Sequence, residues 1–359
     1  MKAAVLTAFN TPVTVQDVPP IPLGPKDALV RVDAAGVCHS DLTVATGGTG
    51  QALPLVMGHE GAGTVLETGS AVTAVKKGDR VIAAFIPVCG HCWFCLHGHT
   101  NLCDTMAAMR AAPRGKLADG QPLWTHTGLG TMAEVMTVDE SMLVRVETDL
   151  PAEQLALIGC GVTTGVGAAI NTAQVEPGSS VAVIGCGGVG QSIIQGARIA
   201  GAARIFAVDP VELKRQTALK LGATDGVNPK DGDPVEQVRA LTGGRGADYT
   251  FEALGLPETI VQAYNMARRG GTATIVGMAR ADATITLPAQ ALFRNERRFL
   301  GSYYGSAQVQ RDFPRLINLV ESGRLDVGAM VSRRIALDSV NEAFRAMEAG
   351  EVIRSVITW

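Results

Sequence analysis

The chain has 359 residues, of which 47% are hydrophobic but only 4% aromatic, and it carries 42 glycines. That length exceeds the usual single-core limit and implies two domains, while the glycine content suits an α/β protein with tight turns and close helix–sheet packing. A formal net charge of -3 gives no electrostatic footprint for nucleic acid, and apolar runs broken by Asn10, Pro12, glycines and charges give neither a signal peptide nor a membrane span, so the sequence reads as soluble and cytoplasmic.

From Lys2 to about Val37, short β-rich runs such as residues 28–32 alternate with proline-rich turns such as residues 19–22. This is the texture of a β-rich, irregular domain. Further strands are predicted at residues 63–67, 80–84 and 133–138, with Lys77-Gly78-Asp79 turning between the first two. From about Thr163 strand and helix patterns alternate at βαβ spacing: strand 204–208, helix 212–221 ended by Gly222, strand 247–252, helix 257–267 and strand 272–276. Past Arg298 the alternation stops, leaving helices at 313–321 and 339–349 and a last strand at 353–358. The βαβ region therefore reads as an insertion: residues 1–160 form a first domain, 161–300 a doubly wound parallel sheet, and 301–359 complete the first domain.

Within the insertion, Val181-Ala182-Val183-Ile184 breaks into Gly185-Cys186-Gly187-Gly188-Val189-Gly190, and a helical pattern continues through Ile193, Ile194, Ala197 and Ile199. Strand, tight turn and helix N-terminus in this order can hold a pyrophosphate. Gly185 makes the turn, Gly187 admits the phosphates, and Gly190 lets the helix pack on the strand. Asp209 ends the next strand about twenty residues past the last of these glycines, where a carboxylate receives ribose hydroxyls and repels a 2′-phosphate. That favours NAD over NADP.

Seven cysteines in a chain of this kind point to metal or catalysis before disulfides. Cys89, Cys92, Cys95 and Cys103 share one lobe, residues 87–104, and four thiolates at this spacing fit a closed tetrahedral zinc site better than a redox pair. His91, His97 and His99 in the same lobe read as surface residues. Elsewhere, Cys38-His39-Ser40-Asp41, Gly58-His59-Glu60-Gly61 and Gly159-Cys160-Gly161 each offer a metal ligand. Two thiolates and one imidazole leave a fourth position open, as a catalytic zinc requires. Spacing alone leaves this equal to a buried cysteine and a core histidine.

The order of these motifs resembles the zinc-dependent alcohol dehydrogenases of the medium-chain dehydrogenase/reductase superfamily, over essentially the whole chain. The resemblance implies a Rossmann coenzyme domain inserted in a β-rich, GroES-like catalytic domain, with two zinc ions per subunit and NAD. It assigns catalytic zinc to Cys38, His59 and Cys160, and structural zinc to Cys89, Cys92, Cys95 and Cys103. Ser40 would relay the proton given up by the alcohol, Asp41 would orient His59, and Glu60 would stand beside the metal. Gly185, Gly187, Gly188, Val189, Gly190, Asp209 and Lys214 would bind the cofactor, with His39 and Arg354 facing its pyrophosphate and Thr164 and Val276 its nicotinamide.

Phe85 and Trp124 resemble pocket aromatics, with Met142 a weaker candidate, and an apolar wall suits uncharged primary alcohols and aldehydes, aliphatic or aromatic. Several members of the family place a histidine three residues after the relay serine, where this chain has Thr43. The segment 110–129 resembles the longer loop of dimeric relatives, which implies a homodimer through the nucleotide domain, with a tetramer as the alternative. Three other functions remain open: a dehydrogenase of thiol–formaldehyde adducts, for which Arg114 and Lys116 could receive a carboxylate; a nicotinoprotein that keeps its NAD; and a non-catalytic NAD-binding member. The intact Cys38, His59 and Cys160 set argues against the last.

Overall fold

In the computed structural model, which describes Met1–Trp359, the chain forms two compact units. One comprises Met1–Cys160, Gln308–Ser322 and Val327–Trp359; the other comprises Gly161–Ala307 and Gly323–Asp326.

The first unit is built on the strand Asp27–Val37. It is long enough to pair with three partners: Val135–Asp139, Glu60–Thr68 and Arg354–Thr358, all antiparallel. Register shifts between Leu29 and Val30 and between Val32 and Ala34 bend it, as bulges do. The register sets Gly36 opposite Glu60 and Val37 opposite Ser355. Cys38, His59, Glu60 and Arg354 consequently meet at one end of this sheet although they come from three parts of the chain. A second sheet orders Thr14–Asp17, Lys2–Leu6, Leu55–Val56, Pro122–Thr125 and Gly115–Lys116. Its parallel pair matches Leu55 with Trp124 and Val56 with Thr125.

In the second unit six strands run parallel in the order Asp225–Val227, Arg204–Val208, Ser180–Ile184, Ala247–Glu252, Ala267–Ile275, Arg298–Gly301. Counted along the chain this is 3-2-1-4-5-6, the doubly wound dinucleotide-binding order. Val181, Ala182 and Val183 are fully buried, as strands covered by helices on both faces must be. One core packs Val181, Val183, Ile193, Ile194 and Ala197, and the other packs Ala182, Phe206, Val238 and Met266.

Two stretches depart from the sequence reading. Helix Pro257–Met266 passes directly into strand Ala267–Ile275, so the strand begins five residues before the predicted Thr272. Gly270 and Gly271 look like a breaker, but the pairing of Ala247 with Ala267 carries the strand back past them. The other is the helical run Ala152–Thr172, long and apolar enough to cross a membrane yet mostly buried in the protein, as a core helix is. Its glycines hide it in the sequence, and they are there for packing: a Cβ on Gly165 would sit 2.4 Å from the Ser192 Cβ, and one on Gly167 2.4 Å from the Gly305 carbonyl. Cys160 lies on a π-turn of this run, Ile158–Val162, a helical irregularity that often marks a functional position.

Candidate active site and metal centres

The long strand ends at Val37, and Cys38 caps the helix His39–Ala45. Asp41, in the first turn, reaches back so that Oδ2 accepts from the Cys38 N–H at 2.9 Å, as a capping-box acid does. Its other oxygen, Oδ1, faces His59 Nδ1 at 2.8 Å. Burial works against ionisation of Asp41, but the His59 and His126 imidazoles outweigh it and hold the carboxyl well below its usual range. An ionised carboxylate only accepts, so His59 Nδ1 carries a proton, and Nε2 is the nitrogen left for a metal.

One ligand atom from each of Cys38, His59, Glu60 and Cys160 lies within 4.8 Å of the others, and all four residues are buried. A hydrogen bond from Cys160 draws the Cys38 thiol well below its ordinary value against the effect of burial, and the same bond, with burial, pushes Cys160 up. Burial draws the His59 imidazolium down, but Asp41 outweighs it and raises His59 well above the ordinary value. The group sets two sulfurs, an imidazole and a carboxyl together out of water. Two sulfurs and an imidazole are also the donors zinc prefers, so the set fits a zinc ion.

Around this set, Ser40 Oγ lies 3.8 Å from Cys38 Sγ. Arg354 donates to Glu60 Oε2, both side chains being almost completely buried. Gly36 makes room for this pair, since a Cβ there would fall 2.0 Å from Glu60 Oε2. Burial pushes the Glu60 carboxyl up to about 7 despite Arg354. The Phe85 ring stands edge-on to His59 with centroids 5.8 Å apart. Trp124, by contrast, is on the opposite face of its strand from buried Leu123 and Thr125, and its Nε1 donates to the Ala111 carbonyl at 3.2 Å. Met142 is core.

Sequence reasoning passed over His126. It is buried, its Nδ1 lies 2.9 Å from the same Asp41 Oδ1, and its ring stands edge-on to His59 at 5.0 Å. No local pattern announces it. It reaches the site because Thr125 pairs with Val56, three residues before His59.

The four-cysteine lobe forms a second set, with all four sulfurs within 4.8 Å of one another. The N–H groups of Cys92 and Cys95 donate to Cys89 Sγ and Cys92 Sγ at 3.3 and 3.4 Å, so the backbone itself supports thiolate charge. Backbone hydrogen bonds, that of Asp104 first, draw Cys92 down to about 6, whereas burial pushes Cys95 up to about 12. Four sulfurs fit a closed zinc site. His91 Nδ1 bonds the Cys89 carbonyl and His97 stacks on Trp93 at 4.1 Å, so neither faces the sulfurs.

In the second unit Gly185 turns the chain with φ 86°, and a Cβ on Gly190 would lie 1.8 Å from the Gly185 carbonyl. Gly187 has open space beside it, at the start of the helix Gly188–Ile199. Backbone N–H groups and open space at a helix N-terminus fit a pyrophosphate. Asp209 holds the loop: Oδ2 accepts from the Cys186 N–H and Oδ1 from the Val211 N–H, each at 2.8 Å. Lys214 lies one turn further on, where its carbonyl accepts from Gln191 Nε2. Thr164 is buried and Val276 packs on the core cluster that holds Val181 and Cys186. His39 is exposed at the start of its helix. Cys186 is buried, which raises its thiol.

A β-rich unit carrying two thiolate-rich metal sets and a doubly wound unit with a phosphate loop define a zinc oxidoreductase that uses a nicotinamide dinucleotide. Residues 24–148 match the alcohol dehydrogenase GroES-like domain and residues 188–322 the zinc-binding dehydrogenase domain. The chain is 39% identical over 368 residues to an S-(hydroxymethyl)glutathione dehydrogenase from Photobacterium damsela subsp. piscicida, with 99% of both chains covered. Among solved structures it is similar to an alcohol dehydrogenase zinc-binding domain protein from Burkholderia ambifaria, at 34% identity and TM-score 0.92, covering 99% of this chain and 98% of that one. It is also similar to benzyl alcohol dehydrogenase from Acinetobacter calcoaceticus, at 30% identity and TM-score 0.91, with the same coverage. The chain belongs to the zinc-dependent alcohol dehydrogenases of the medium-chain dehydrogenase/reductase superfamily.

Proposed function

We propose that the chain oxidises hydroxymethyl adducts of thiols, R–S–CH2–OH, with NAD as hydride acceptor. The observation that carries this reading is the full-length identity of 39% to an S-(hydroxymethyl)glutathione dehydrogenase. Such an adduct is itself a primary alcohol, so the same site serves primary alcohols and aldehydes more widely.

In this reading Cys38, His59 and Cys160 hold the catalytic zinc, and Cys89, Cys92, Cys95 and Cys103 the structural one. When bound, zinc supplies a Lewis acid that acidifies the substrate hydroxyl, and NAD supplies the hydride acceptor. The protein's own groups do the rest. Asp41 keeps His59 in the tautomer that presents Nε2. Ser40, beside Cys38 Sγ, accepts the hydroxyl proton and passes it outward. Arg354 offsets the charge of Glu60 and of the two thiolates. Phe85 gives the carbinol an apolar wall against His59. Gly185, Gly187, Gly188, Val189 and Gly190 cradle the pyrophosphate. Asp209 and Lys214 take the adenosine ribose and favour NAD, and Thr164 and Val276 line the nicotinamide.

A second reading, uncharged primary alcohols, is favoured by Arg114. Its Nη2 is 2.8 Å from Asp27 Oδ1, so the cation that could receive a carboxylated thiol already has a partner. Steady-state kinetics with S-(hydroxymethyl)glutathione, benzyl alcohol and ethanol, each with NAD and NADP, test both. A kcat/KM at least tenfold higher for the adduct upholds the first reading; the reverse order upholds the second. Oxidation of none of them overturns both.

The protein is soluble, and we place it in the cytoplasm as a homodimer. Arg298–Gly301 is a sheet edge in the nucleotide unit. Beside it lies an apolar cavity of about 230 Å³ lined by Ile260, Ile275, Ile285, Phe299 and Leu300. An edge of this kind invites pairing with a second copy. Light scattering should give twice the mass of the chain.

A further inference from the structure

We propose that His126 is a positioning residue for the reaction: by donating to the same Asp41 oxygen that orients His59, it limits the electron density His59 can give a bound metal. The inference rests on the assignment of His59 as a zinc ligand.

Asp41 is fully buried, and its bonds are partitioned. Oδ2 takes the Cys38 N–H, and Oδ1 takes both imidazoles, His59 at 2.8 Å and His126 at 2.9 Å. With Oδ2 already taken and two ring nitrogens set against the single acceptor Oδ1, His126 presents Nδ1–H to it as His59 does. An imidazole bound to zinc becomes a stronger donor when its second N–H faces a carboxylate. A competing donor on the same carboxylate oxygen withdraws part of that charge. His59 is thus a weaker electron donor than an unshared Asp–His pair would make it, and a zinc ion it holds is left the stronger Lewis acid.

The placement of His126 is built in. Its carbonyl accepts from the N–H groups of Leu129 and Gly130 and from Thr127 Oγ1. Thr127 itself is in the left-handed region at φ 56°, which a β-branched residue adopts only under constraint. The turn therefore holds a costly conformation directly beside the residue it aims.

The test uses the metal-loaded enzyme and two variants. His126→Phe keeps a ring but removes the donor. His126→Asn keeps a donor near the position of Nδ1. We expect His126→Phe to release its more labile zinc to a chelator up to about tenfold more slowly, and its cobalt-substituted form to show shifted d–d bands relative to the parent. His126→Asn should restore both properties toward the parent. Thermal melts of both variants check that they are folded. Parent-like release and spectra in a folded His126→Phe overturn the proposal, as do identical values in the two variants. If the parent holds one zinc only, and His59→Ala does not lower that number, the ligand assignment itself fails and the proposal with it.

Discussion

Arg354, on the last strand, donates to Glu60, the first residue of a strand 294 positions earlier, in a pair sealed from solvent. Removing one partner of a buried pair costs about 3–5 kcal/mol because the other charge is stranded. Arg354→Leu should therefore lower the melting temperature sharply. The double variant Arg354→Leu with Glu60→Gln should lose less than the two single variants combined, by about 1–3 kcal/mol. Additive losses in a denaturation cycle would mean that the pair is not a unit.

The cysteine lobe makes a prediction separable from turnover. Cys103→Ser removes one of four sulfurs that lie within 4.8 Å of each other. Metal analysis should then fall from two zinc per chain to one. The lobe should become sensitive to protease while Cys38, His59 and Cys160 keep their ion. Retention of two zinc would exclude Cys103 as a ligand.

What the sequence discloses follows from how local each feature is. The turn at Gly185 to Gly190 and the cysteine lobe are closed by neighbouring residues, so their chemistry can be read from spacing. The doubly wound sheet is equally legible, because each βαβ unit repeats the same pattern. The grouping of Cys38, His59 and Cys160 is only half legible: it depends on one strand pairing and on a helical run packed against it, so the residues alone left it equal to a core reading and family resemblance decided it. His126 had no signal at all, because a two-residue strand, Leu55–Val56, delivers it. The helix Ala152–Thr172 stayed hidden because its glycines serve packing against Ser192 and Gly305 rather than ending the helix.

Asp209 couples cofactor choice to loop stability. Both its oxygens accept backbone N–H groups at 2.8 Å, so the carboxylate that is proposed to receive the ribose also holds the glycine loop. Asp209→Gly combined with Pro210→Arg should shift the ratio of kcat/KM toward NADP by at least tenfold. It should also lower stability by about 1–3 kcal/mol for the N–H groups left unpaired. An unchanged cofactor ratio would remove Asp209 from the ribose site.

Thr43 lies three residues after Ser40, and its Oγ1 donates to the His39 carbonyl at 3.0 Å. A hydroxyl committed to its own helix has no proton to pass on. Thr43→Val should accordingly leave the pH profile of turnover unchanged. A large loss of hydride-transfer rate, read from the deuterium isotope effect, would make Thr43 part of the proton route.

Asp248 ties two neighbouring strands of the nucleotide unit. The Ser180 N–H and hydroxyl donate to its Oδ2 at 2.8 and 2.6 Å, and Arg268 Nε donates to Oδ1 at 2.6 Å. Burial opposes ionisation, but Ser180 and Arg268 prevail and lower the carboxyl below its ordinary value. A carboxylate depressed in the folded state stabilises fully above its unfolded value, near 3.9, and loses that contribution as pH falls through the lower folded value. The group is partly exposed, so its contribution is on the order of 1 kcal/mol rather than that of a buried pair. Asp248→Asn should therefore unfold at lower urea than the parent at pH 7 and pH 5. The gap should narrow below about pH 4 as the parent's carboxylate takes up its proton and the two side chains become equally neutral. A gap that stays constant down to pH 3 would mean that shape, not charge, is what Asp248 contributes.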